Sequence, residues 1–483
     1  MKKLVFIFCV MALLTGRCFG QSDGIVDKDS SVQYLSLKTC VEAALRNNLA
    51  IKTAKTNAAI AGVYHNEAKM EQLPSVSGYI NHGLNSGRSI NPSDNSYITQ
   101  SFTSANYSLS ASLSLWNGFK LRNYIRKTKL DEEAGKWDAQ QQKDAVTIQV
   151  IAAYLEVLNQ QEILNNYYRQ LLSTQVQYNR LDTLNQNGAA NPDDFYDMKG
   201  QLSSSELAII EQKNIIKSAK ITLFQLMNEP LNMDIVLKEP STMDVQDAEN
   251  QSIDGIYTSA LTYLPSVKSA QLKFLSAGKN VAVEKADFYP SLSLNGGIGT
   301  AFSSAATRSL AGETVTEQNG NYVISGSEKL PVYTNTTSMS YRDIPYWNQL
   351  KNNYGTNLNL TLNIPIFNGL QARSDVKVAR LQQDLAKEQL STTQTDLKNT
   401  ISKAYFDQQA ALQGWLKQQD QAAAYKEYFR ISEVKFNAGA INSAEYLIAK
   451  TKYNQAENAL IVAKYNYIFK TKILSYYKGA LSL

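Results

Sequence analysis

The sequence predicts a mostly α-helical chain with a β-barrel part, built as a tandem duplication of one unit: strand, loop, strand, then a hairpin of two long helices. Three observations predict it. A pattern of residues recurs at one constant offset, four segments alternate with a period of two, and two proline-free segments carry a heptad seam in matching register.

The repeat comes first. Leu115–Arg122 reads LWNGFKLR and Ile366–Arg373 reads IFNGLQAR, an offset of 251 residues. The same offset aligns Ala153-Tyr154 with Ala404-Tyr405, NGAANPDDFYDMK (from Asn187) with AGAINSAEYLIAK (from Ala438), and Glu206 with Glu457. Upstream, LPSVSGYI at Leu73 matches YPSLSLNG at Tyr289 at an offset of 216, so the second unit carries an insertion of 35 residues.

Taken in order, residues 1–20 read as a signal peptide: Lys2 and Lys3, an apolar run from Leu4 to Leu14, and Gly20 before the expected cut. Cys18 invites a lipid anchor, but Arg17 stands before it where a small residue is normally needed. Without that segment the chain carries 45 basic and 43 acidic residues, a net of +2, and nothing points to nucleic acid. Cys40 is then the lone cysteine, so no disulfide framework exists. No later stretch reaches 18 apolar residues, so any passage through a bilayer must be made by β-strands.

The first repeat is expected over residues 21–240 and the second over 241–483, each opening with a helix. Strands are expected at about 74–86, 104–116, 290–302 and 354–366. In the second, Tyr107, Leu109, Ala111, Leu113 and Leu115 alternate with serines; in the fourth, Leu358, Leu360, Leu362, Ile364 and Ile366 alternate mainly with Asn, Thr and Pro. Leu292, Leu294, Ile298 and Phe302 mark one face of the third. The first is the least regular, with Tyr79 breaking the pattern and His82 on the apolar face. Segments of ~9–13 residues have the length of tilted transmembrane strands, with Ser, Asn, Thr and Gly towards a wet lumen. Polar loops are expected at 87–103 and 303–353.

Long helices are expected at about 120–184, 192–227, 370–436 and 443–477. A seam runs Val146, Val150, Ala153, Val157, Gln160, Leu164, Tyr167, Leu171, Thr174, Tyr178, Leu181; adding 251 gives Leu397, Ile401, Ala404, Gln408, Ala411, Trp415, Gln418, Ala422, Tyr425, Phe429, Ser432. A second apolar set (Ile148, Ile151, Leu155, Leu158) flanks the first, so one helix can pack on a neighbour at each side, as a ring of helices requires. The proline-free run from Lys120 to Leu184 spans ~97 Å if helical. It turns at Asn187-Gly188, as the second repeat turns at Asn437–Gly439, and Pro192 suits the first turn of the return helix. Residues 228–240, with two prolines, read as a linker that adds at most a small strand.

The search for chemistry returns nothing catalytic. Only His65 and His82 are present, no metal-ligand spacing occurs, and no nucleophile or phosphate-loop motif follows a strand. No cofactor is expected. Acids gather at the hairpin turns: Asp193, Asp194 and Asp197 after the first, Glu445 after the second. They offset helix dipoles, or form a negative ring at a narrow entrance favouring cations, or both. Four strands cannot close a membrane barrel, so copies must share one; two give eight strands and three give twelve.

The duplicated unit, with strands opening at Pro74 and Pro290, junctions Asn117-Gly118 and Asn368-Gly369, and turns NGAANPDDF and AGAINSAEYL, resembles the TolC-type outer-membrane efflux factors over nearly the whole chain after residue 20. That resemblance implies a homotrimer with a twelve-stranded barrel in the outer membrane of a Gram-negative bacterium, continued by a twelve-helix periplasmic tunnel. It implies a periplasmic adaptor, an inner-membrane transporter of RND, ABC or MFS type, and a gate opened by untwisting of the helix tips. It implies efflux of small molecules, with ABC-driven peptide or protein secretion as the alternative; apart from the resemblance, a periplasmic coiled-coil scaffold is a distant third reading. By that resemblance Gly188, Asn191, Gly439 and Asn442 are tip residues for the adaptor. The chain departs from the family's gate at three positions: Phe436 stands for a Tyr, Ile441 for an Arg, and Ile448 for a pore-facing acid, while Asp194 matches the acid these would bind.

Overall fold

The computed structural model describes residues 34–90, 95–189, 191–239 and 252–481. The expected signal peptide, Cys18 and the boundary between repeats at residue 240 lie outside the described residues. The first repeat runs β1 (Tyr34–Leu35), α1 (Leu37–Asn47), α2 (Leu49–Met70), β2 (Ser75–Asn85), β3 (Arg88–Ile90), β4 (Tyr97–Thr99), β5 (Phe102–Trp116), α3 (Lys120–Gln186), α4 (Pro192–Met227) and β6 (Val236–Leu237). The second runs α5 (Ile253–Tyr263), α6 (Pro265–Lys285), β7 (Ser291–Ser303), β8 (Thr307–Ser325), β9 (Glu328–Asp343), α7 (Tyr346–Asn352), β10 (Gly355–Asn363), α8 (Gln371–Asn437) and α9 (Ser443–Tyr477).

β2, β5, β7 and β10 form one antiparallel sheet in the order β10-β7-β5-β2. The helices continue that order. α2 packs on α3, α3 on α6 and α6 on α8; further from the sheet, α4 packs on α3, α3 on α9 and α9 on α8. α3 and α8, 67 residues each, therefore run the full height, about 100 Å. Their neighbours are spliced from two helices. Where one helix was expected before each first strand there are two, because Asn48 caps α2 with its own side chain (2.9 Å to Ala50 N) and Pro265 must begin a helix rather than continue one. Each break meets the end of a hairpin helix: Asn48 Nδ2 donates to Leu226 O of α4 (2.8 Å), and the Tyr263 hydroxyl donates to Tyr477 O of α9 (2.5 Å).

The cores follow the heptad seams. Val146, Val150 and Val157 are buried with Leu37, Val41, Leu223 and Met227 around α1. Leu397, Ile401 and Ala404 are buried with Ile256 and Val267 around α5. Leu181, Phe195, Met198, Phe436 and Tyr446 form a third core at the hairpin ends. The two-residue strands β1 and β6 pair in parallel beside the first core, with the Tyr154 hydroxyl 3.0 Å from Leu35 O and 2.5 Å from Lys238 O.

The segment expected as a polar loop over 303–353 differs. It folds into a ribbon, β8 with β9, followed by α7. Thr, Tyr and Val supply strand propensity, and with solvent on both faces no apolar alternation is needed. The expected loop at 87–103 likewise carries the small β3–β4 pair.

Candidate functional site

The wall of the sheet sorts most of its residues by face. Residues paired across strands share a face, and one face carries Ile80, Leu109, Ile298, Leu294, Leu358, Leu360 and Leu362. Most of these side chains are exposed in the single chain, Leu358 at 74%. The other face is mainly Ser, Asn, Thr and Gly, with Tyr79, Phe102 and Ala301 among them, and is joined crosswise: Ser77 Oγ lies 2.8 Å from Ser110 Oγ, and Ser112 Oγ donates to Asn295 Oδ1 (2.8 Å). No charged side chain lies on that face between Ser75 and Asn85 of β2 or between Gly355 and Asn363 of β10. Both outer strands, β2 and β10, present one unpaired edge. His82 falls on the apolar face opposite Ala105, as its place in the pattern requires.

Strand passes to helix through two consecutive left-handed residues in each repeat: Gly118 and Phe119 (φ +64° each), Gly369 and Leu370 (+64° and +66°). At Gly118 a Cβ would stand 2.8 Å from Tyr289 Cβ and 2.9 Å from Ala286 O, so the first junction is a contact between the repeats that only glycine admits.

At the hairpin ends Gly188 and Gly439 are left-handed and exposed, and each turn closes with a backbone bond, Ala189 N to Leu184 O (2.8 Å) and Ala440 N to Lys435 O (2.9 Å). Asn191 and Asn442 are used as caps, accepting from Asp193 N (3.2 Å) and Glu445 N (2.9 Å). Asp193 and Glu445 are exposed. Asp194 and Asp197 instead reach across to the other hairpin: Ser443 N donates to Asp194 Oδ1 (2.8 Å) and Ser443 Oγ to Asp197 Oδ2 (2.9 Å). Phe436 is buried against Tyr446, ring centroids 4.7 Å apart, and Ile441 packs on the same core; Ile448 is exposed.

The structure adds residues that the sequence pattern did not single out. Arg180 of α3 donates to Asn437 Oδ1 and to Asn437 O (2.6 Å), with its guanidinium 5.9 Å from the Phe436 ring. The two hairpins are thus held by two polar ties around an aromatic pair. Lys450 of α9 is buried, 3% exposed, and donates to Thr174 Oγ1 (2.6 Å). Burial pushes its ammonium down to about 8, against the pull of Glu433 upward. Neither group had a local signal, since each partner lies far along the chain.

No helix among the described residues is long and apolar enough to cross a membrane, and no cluster of three or more potential metal-ligating side chains occurs among them. A sheet with one apolar uncovered face, one neutral hydrogen-bonding face and long coiled-coil helices below it defines the wall of a β-barrel channel with a helical extension. The sequence profile described as Outer membrane efflux protein matches residues 40–229 and 256–471, and the chain belongs to that family of outer-membrane channels. Solved structures share the fold. The CmeC outer membrane channel of Campylobacter jejuni is 20% identical, with 92% of this chain and 86% of that one covered and a TM-score of 0.72. The outer membrane protein VceC of Vibrio cholerae is 13% identical over 92% and 96%, TM-score 0.72. The MtrE outer membrane channel of Neisseria gonorrhoeae in its open state is 17% identical over 92% and 89%, TM-score 0.70. No curated protein matches the chain.

Proposed function

We propose that three copies close one tunnel, the outer-membrane channel of a tripartite efflux system that passes small molecules from the periplasm or an inner-membrane pump to the outside. The observation that carries this reading is the open four-stranded sheet. Its unpaired edges are intolerable in lipid. Two copies would give a barrel that side chains fill, whereas three give twelve strands and a lumen.

The internal repeat supplies the closing geometry. Carrying the β5–β7 pairing onto β10 and the next copy's β2 sets Leu362 opposite Ile80 and Leu358 opposite Leu84, so the apolar face continues around the ring. The helices offer matching edges: α8 exposes Val378, Leu381 and Leu385, and α2 exposes Ile60, Val63 and Tyr64. At the far end Asp193 and Glu445 ring the mouth, Asp194 and Asp197 with Ser443 latch one hairpin to the other, and the turns at Gly188, Asn191, Gly439 and Asn442 face a periplasmic adaptor. With Phe436 and Ile441 in the core, closure rests on packing and on the latch. The test is the mass and shape of the detergent-extracted protein by light scattering and negative stain. A detergent-coated trimer well over 100 Å long is expected; a soluble species that binds no detergent would overturn the reading.

A further inference from the structure

The β8–β9 ribbon takes no part in the wall. It springs from the β7–β10 connection and stands exposed on both faces, its longer strand of 19 residues reaching about 60 Å. A two-stranded ribbon is marginal by itself in water, and both its edges carry unpaired peptide groups. The edges differ. β8 is interrupted by bulges between Ala311 and Thr314 and between Gln318 and Tyr322, and it carries Glu313 and Glu317, devices that blunt an edge. All the extra residues lie in β8, so β9 is regular, and it has no charge from Leu330 to Tyr341.

We infer that β9 is a docking edge for a second copy of itself, two β9 strands pairing antiparallel about a two-fold axis at Thr336. In that register Lys329 stands opposite Asp343, Pro331 opposite Tyr341, Tyr333 opposite Met339 and Thr334 opposite Ser338, each pair occurring twice. Opposite residues have the same parity, so both faces of the ribbon continue through the joint. Among the described residues neither Lys329 nor Asp343 has an ion-pair partner; the Lys329 ammonium lies 4.5 Å over the Tyr322 ring. A slip of two residues one way sets Lys329 opposite Pro345 and loses both charge pairs; a slip the other way exchanges them for Glu328 opposite Arg342 but sets Tyr333 opposite Thr337 instead of Met339, so the Thr336 register keeps the charge pairs together with the larger apolar cross-strand contact. Pairing β9 with a neighbour's β8 would meet the bulges and glutamates instead. A two-fold axis is foreign to a three-fold assembly, so the joint links ribbons of two separate channels. The inference rests on the channel reading only in placing the ribbon outside the membrane.

The test uses the full-length protein in detergent. Light scattering over a concentration series is expected to show a species of twice the basic mass. Lys329→Asp and Asp343→Lys each abolish it, and the double exchange restores it. Thr336→Cys is expected to give disulfide-linked chain pairs under mild oxidation, and Val315→Cys on β8 none; Cys40, the one native cysteine among the described residues, is buried, and Cys9 and Cys18 are replaced by Ser in both variants. Deleting residues 307–343 leaves the basic assembly and removes the doubling. Absence of the doubled species in the wild type, failure of the double exchange to restore it, or cross-linking at residue 336 without doubling overturns the inference. The basic mass, read in the same runs, reports separately on the channel.

Discussion

One methyl group at Gly118 is expected to separate folding of the chain from closure of the barrel. Gly118→Ala forces an L-residue to φ +64° and sets its Cβ 2.8 Å from Tyr289 Cβ and 2.9 Å from Ala286 O. The left-handed backbone costs roughly 1–2 kcal/mol and the overpacking roughly 1–3 kcal/mol, together about 2–5 kcal/mol. The obstructing atoms are a side-chain root and a backbone carbonyl, which cannot swing aside. Gly369 has the same φ but nothing within 4 Å of its Cβ position in the single chain, so there the backbone cost alone applies to folding. The repeat offset maps Tyr289 onto Leu73 and Ala286 onto Met70. In a closed ring the next copy's Met70–Leu73 segment then occupies the space beside Gly369. Gly118→Ala should lower chain stability in far-UV circular dichroism melts by about 2–5 kcal/mol, while Gly369→Ala should cost the chain only the backbone's roughly 1–2 kcal/mol and lower the temperature at which the detergent-resistant oligomer dissociates on a gel. Gly118→Ala as stable as the wild type would refute the packing argument. Gly369→Ala with an unchanged dissociation temperature would refute the ring geometry.

The faces of the sheet make a second prediction: Leu360→Arg, on the apolar face, should lose about 2–4 kcal/mol of assembly stability, and Asn359→Arg, one residue away, far less, read by the yield of detergent-resistant oligomer. Asp194→Ala removes a charge-assisted bond to Ser443 N, a loss of about 1.5–3 kcal/mol from the latch, and should raise single-channel conductance in planar bilayers. For Lys450 the sign is set by a folded pKa of about 8 against an ordinary 10.5. Below pH 8 both folded and unfolded chains hold the proton and the burial penalty is fully felt. As pH rises from 8 to 10.5 the folded chain gives up its proton first, and stability increases by at most about 3 kcal/mol. Thermal melts of Lys450→Met should lack this rise.

The wall was legible in sequence because each of its strands divides two solvents: Leu358, Leu360 and Leu362 against Asn357, Asn359 and Thr361 record lipid on one side and water on the other. The long helices were legible because a seam such as Val146, Val150, Val157 must keep its neighbours over many turns. The β8–β9 ribbon escaped for the complementary reason. Water bathes both its faces, so Thr314, Thr316 and Thr337 carry no alternation that separates strand from loop. The hairpin latch escaped because its acceptors and its donor lie 249 and 246 residues apart and one donor is a backbone N–H, which no side-chain pattern records. Acids in a first helical turn look the same whether they face solvent, as Asp193 does, or hold another hairpin, as Asp194 does.

The alternation of whole and spliced staves has a mechanical consequence. α3 and α8 are unbroken battens, while α2 with α4 and α6 with α9 are butted at one height, at Asn48 and at Tyr263. A load applied at the hairpin ends finds compliant joints in every second stave and stiff members between them. Such a wall resists folding sharply at its waist, because each batten would have to break its own hydrogen-bond ladder. It yields to torsion, in which the battens coil as a whole and the joints take up the slip.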